Sequence, residues 1–135
     1  MNNPYESPLE EGSPPERRDT ISLVAAIFEG AAWSVGSTVP IAALMVSFFR
    51  FPIPFGGIVT GPKYLVAAMI ALLMYGVFLG GYLLVAMAGG VAGAVGRAIG
   101  STRARQRLIL SILAIGASFV LLFMLATLDW VIGPW

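Results

Sequence analysis

The stretch from Tyr64 to Gly100 limits what this chain can fold into more than any other. It opens as an apolar run, YLVAAMIALLMYGVFLGGYLLVAMA, and thins into GGVAGAVGRAIG, which is mostly Gly and Ala. Read as one helix, 64–97 covers 34 residues, whereas roughly 20 suffice to cross a hydrocarbon core. The Gly-rich end is therefore expected either to leave the bilayer or to bend within it. Two further apolar runs flank it, so the fold class is expected to be all-α. The chain reads as an integral membrane protein with three transmembrane helices at about 21–49, 64–97 and 104–132. These spans form one three-helix domain over 21–135, preceded by a disordered cytoplasmic tail over 1–20.

Composition agrees with that reading. The chain is 58% hydrophobic and 11% charged, against about 25% charged in soluble domains. It has no cysteine and no histidine, which removes thiol chemistry, the usual haem and zinc ligands, and the base of Ser-His or Cys-His hydrolases. A formal net charge of +1 gives no field that would draw nucleic acid. Phosphate loops, aspartyl-protease pairs and metal-binding acidic helices do not occur. No enzymatic activity, cofactor or metal is expected.

The tail, MNNPYESPLEEGSPPERRD, carries four prolines and five acidic residues and cannot bury enough apolar surface to fold alone. Its opening, Asn3-Pro4-Tyr5-Glu6-Ser7-Pro8, resembles the Asn-Pro-Tyr-x-x-Pro openings of small uncharacterised multi-pass inner-membrane proteins of bacteria. That resemblance implies a bacterial cytoplasmic membrane and no activity. Arg17 and Arg18 flank the first span and are read as topology residues rather than as a twin-arginine export signal, because Asp19 and Thr20 follow them and Glu29 interrupts the apolar run.

In the first span, Glu29, Trp33, Gly36, Pro40, Ala43 and Ser47 share one helical side. A carboxylate at bilayer depth is costly, so this polar and small stripe is expected to face protein. Pro40 frees the carbonyl of Gly36 and is expected to bend the helix. The connector RFPIPFGGIVTGPK has three prolines and three glycines and cannot continue a helix. Its Phe51, Ile53 and Phe55 suit the headgroup region.

The long central run offers two packing faces. Gly76 and Gly80 form one pair of small residues four apart; Ala88, Ala92, Gly96 and Gly100 form a longer ladder, with Gly89 and Gly93 beside it. Hydrophobicity does not drive helices together in lipid, so close backbone approach through Gly and Ala is a main route to association. Arg97, Arg103, Arg105 and Arg107 follow within eleven residues. By the positive-inside rule they place this loop and the amino terminus in the cytoplasm and the carboxyl terminus outside. They also attract anionic lipid headgroups. Ser101 or Thr102 is expected to cap the third helix. Ser111, Ser118 and Asp129 share one side of that helix, and Trp130 and Trp135 sit at the level of an outer aromatic belt.

The functional expectation is a non-enzymatic accessory or assembly subunit that packs through Gly/Ala faces on itself or on a larger membrane complex. Two alternatives come from other classes. Three short spans with a charged terminus are similar to phage holins, which implies a self-assembling pore, although holins usually carry a basic tail and this one is acidic. An intramembrane acid implies a proton- or ion-linked transport subunit using Glu29; Asp129 lies too far along the normal to share its proton. The Gly-rich helix beside a basic loop is also similar to the proteolipid rotor rings of ATP synthases, but the helix after the loop has no carboxylate at mid-depth.

Overall fold

A computed structural model describes residues 20–128. Four helices and one hairpin follow in chain order: α1 (Leu23–Phe48), β1 (Phe51–Ile53), β2 (Gly57–Val59), α2 (Leu65–Val77), α3 (Gly81–Ile99) and α4 (Arg103–Thr127). Helices α1, α3 and α4 are each long and apolar enough to cross a membrane. The protein is an all-α, three-span membrane protein, and the small β-hairpin is its sole sheet among the described residues. The tail, Asp129, Trp130 and Trp135 lie outside those residues.

Helix α1 begins where Ser22 accepts a hydrogen bond from the Ala25 amide, which satisfies one of the orphan donors of a first turn. It then runs unbroken for 26 residues, through Pro40. Around the proline, the hydroxyls of Ser37 and Thr38 donate to the carbonyls of Ser34 and Val35. These bonds go to carbonyls one and two residues before that of Gly36, the one Pro40 frees. Helix α4 starts in the same manner, with Thr102 accepting from the Arg105 amide.

The connector folds into the antiparallel β1/β2 hairpin, with Phe51 opposite Val59 and Ile53 opposite Gly57. Pro54 and Phe55 are the central turn residues, closed by the Gly56 amide donating to the Ile53 carbonyl at 3.0 Å. This is the pattern of a type II turn, whose third position needs a positive φ. Phe55 fills it at φ 62°, where glycine would be unstrained, and its ring is fully exposed at the tip. Phe51, by contrast, is completely buried against α1, α2 and α4.

The long central run is not one helix. It divides at Phe78–Gly80 into α2, of 13 residues, and α3, of 19. Gly80 adopts the left-handed conformation (φ 69°), which other residues reach only with strain. The carbonyl of Gly80 then starts α3 by accepting from the Leu83 and Leu84 amides. The excess length is thus absorbed by a break ahead of the Gly-rich end, and not by that end leaving or bending. Helix α3 alone, at about 1.5 Å per residue, spans roughly 28 Å. Helix α2, at roughly 20 Å, is too short to cross. Its Ala68, Ala71 and Leu72 pack on Ile41, Ala42, Met45 and Val46 of α1 and on Leu122 and Ala126 of α4.

The packed side of α1 also differs from the expected one. The buried residues are Ala26, Gly30, Ser34, Ser37, Thr38, Ile41, Ala42, Met45 and Val46. Of the polar stripe, Trp33, Gly36 and Pro40 are exposed, and Glu29, Ala43 and Ser47 are half-buried. Ala26, Gly30 and Ser34 recur at steps of four and let the α3 backbone come close, and this closeness outweighs the scattered polarity of the neighbouring side.

Candidate functional site

Close packing of α1 on α3 is the most constrained feature of the molecule. A Cβ built on Gly93 would collide with the Ala26 carbonyl oxygen, and one on Gly30 with the Gly89 carbonyl oxygen. One on Gly89 would collide with the Ser34 side chain. Two helix backbones therefore touch directly over two turns. Gly96 and Gly100 perform the same service for α4: added carbons would lie 2.7 Å from the Leu110 Cα and 2.5 Å from the Gln106 Cγ. Gly76 receives the ring of Tyr82, folded back across the helix break. Ala92 is buried and Ala88 half-buried. The Gly-rich ladder thus works chiefly inside the chain.

At mid-length a pair of hydroxyls joins α1 to α4. Ser118 Oγ lies 2.6 Å from Ser34 Oγ and 2.7 Å from the Ser34 carbonyl, to which it donates. Both serines are completely buried. Interhelical hydrogen bonds in membranes contribute about 0.6 kcal/mol on average and at most about 1.7 kcal/mol. Ser118→Ala is therefore expected to lower stability by about 1 kcal/mol in detergent unfolding, and a loss well above 2 kcal/mol would contradict that account.

One end of the bundle gathers the arginines. Gln106, 3% exposed, accepts from the Ile21 amide at 3.0 Å and donates to the carbonyls of Arg97 and Gly100, both at 3.1 Å. Arg97 Nε returns a bond to the Ile21 carbonyl at 2.8 Å. A single amide thereby ties the entry of α1 to the end of α3 and the start of α4. Arg97 also places its cation at the carbonyl end of α3, where the helix dipole favours it. Sequence reasoning missed Gln106; the available signal was one uncharged amide inside the basic run RARQR.

Glu29 meets Arg107 at this same end, with 3.3 Å between Oε1 and Nε. The pair is partly open, with Glu29 28% and Arg107 54% exposed, so it adds little stability. Arg103 and Arg105 are exposed. Among the described residues no group of three His, Cys, Asp or Glu side chains gathers into a metal-binding arrangement.

Two apolar hollows stand out among the described residues. A cleft of about 230 Å³ lies at the break between α2 and α3, bounded also by Thr38 and by Leu121, Leu122 and Leu125 of α4. A shallower groove runs along the outer side of α3 between Ile27 of α1 and Ala86, Gly90 and Ala94. Comparison with protein-family models, curated proteins and solved structures gave no match. The class defined by fold and geometry is therefore the one stated above, a three-span membrane protein.

Proposed function

We propose that this protein is a non-enzymatic accessory or assembly component of a membrane, which receives one transmembrane helix of a partner in the outer groove of α3. One observation carries the reading: Ala86 and Ala94 flank an open groove along α3, at whose base Gly90 is covered by Ile27 of α1. The inner ladder of α3 is occupied by α1 and α4, so the outer one is a small-residue surface left for association. The small alanines there let a second helix approach closely. Val91 and Met87 form the groove's apolar wall.

In this reading the arginine end faces the cytoplasm of a bacterial inner membrane, with the carboxyl terminus outside. Arg103 and Arg105 rest on anionic headgroups. Pairing of Glu29 with Arg107 at that end favours a structural use of the carboxylate over proton transfer.

Ala94→Phe should fill the groove without disturbing the α1 contact. Loss of the partner in native purification from the membrane, at unchanged thermal stability, is the expected result. A partner of the same chain appears as a cross-linked dimer, and one of a larger complex as a co-purified protein identified by mass spectrometry. Retention of every association by a folded Ala94→Phe chain sinks the proposal.

A further inference from the structure

The cleft at the helix break has the shape and chemistry of a ligand site. Its rim is formed by Leu79 and Leu84, which are 72% and 61% exposed. Its floor is formed by Leu72, Val85 and Leu122, which are 4%, 7% and 4% exposed. Thr38 of α1 also lines it. Thr38 already donates to the Val35 carbonyl at 2.7 Å, and Tyr75 and Tyr82 also contribute to the mostly apolar lining.

Three occupants compete for this volume. Water needs two to four polar partners to be held, and the floor supplies carbon. Vacuum forfeits the dispersion contacts of every lining atom. At about 230 Å³ the space exceeds an apolar cavity of roughly 150 Å³ that takes up benzene. The cleft is bounded by the first turns of α3 and the last turns of α4, both within apolar spans whose surrounding solvent is lipid hydrocarbon. We infer that the cleft binds a single lipid acyl chain, which enters past Leu79 and Leu84 and ends against Leu72, Val85 and Leu122. The break at Gly80 creates this slot, because an unbroken helix would carry side chains through the space that the displaced α2 leaves open. The inference is independent of which partner occupies the outer groove of α3.

The test uses the full chain in vesicles of phosphatidylethanolamine and phosphatidylglycerol carrying a photoactivatable diazirine at mid-chain. Illumination followed by peptide mapping locates the adducts. Floor residues Leu72, Val85 and Leu122 are expected to be labelled along with the rim. Adducts confined to Leu79, Leu84 and other outward positions would overturn the slot, whether a side chain of another protein or nothing at all filled it. Val85→Phe should then abolish floor labelling and spare rim labelling. Should that variant not fold, Leu121→Trp at the edge of the cleft blocks the same entrance. Floor adducts that persist in either folded variant would equally overturn the assignment.

Discussion

Gly93→Ala is expected to destabilise the bundle by about 3 kcal/mol, the upper part of the range for overpacked sites. The added methyl would enter the Ala26 carbonyl oxygen, and Gly30 Cα lies 3.4 Å away on the other side. Both neighbours are backbone and cannot rotate aside, so relief requires α1 and α3 to separate. That separation would loosen the α1–α3 contacts from Ala26 to Ser34. Gly36→Ala provides the internal control. It sits in α1, nothing lies within 4 Å of its added carbon, and alanine gains about 0.5–1 kcal/mol over glycine within a helix. Equilibrium unfolding in mixed detergent micelles should therefore move in opposite directions for the two variants. Equal effects would mean that the helices do not meet backbone to backbone.

The contrast between these two glycines shows what the sequence discloses about such a fold. Hydropathy alone specifies three spans, because the energetic demand for apolar length is local to each run. The cap of α4 was legible to within one residue, Ser101 or Thr102, and Thr102 takes it. Polarity (Glu29, Trp33, Pro40) points to the wrong side of α1, and the small-residue rule that holds for α3 points to the right one. Ala26, Gly30 and Ser34 obey that rule as plainly as Gly89 and Gly93 do. The break at Gly80 was harder to see. A Gly-Gly pair interrupts the run at Gly80 and another at Gly89, and only tertiary packing decides which becomes a turn: Gly89 is held helical by its contact with Gly30, whereas Gly80 has open space around it. The cleft follows from that break, and no linear pattern announces it.

Gln106→Leu is the second change with a large expected effect, again about 3 kcal/mol, and it acts at the other level of organisation, where helix ends meet. Leucine keeps much of the bulk but leaves the Ile21 amide and the carbonyls of Arg97 and Gly100 without the partner that now holds them. Each buried polar group left unsatisfied costs about 1–3 kcal/mol. Some of that cost is recovered if water reaches the exposed basic end, so three lost bonds total less than their sum. The signature is local. Amide hydrogen exchange across 21–26 should accelerate, because Arg97 Nε then remains as the sole tie to Ile21 at 2.8 Å, while exchange around Ser118 stays slow. Arg103→Leu, one turn away on the exposed side of α4, removes a charge without touching this network and should leave 21–26 protected. Unchanged exchange in Gln106→Leu would show that the first turn of α1 is held by lipid and hydrophobic contact alone. The ring formed by Ile21, Arg97, Gly100 and Gln106 would then have no part in setting how the three helices enter the membrane.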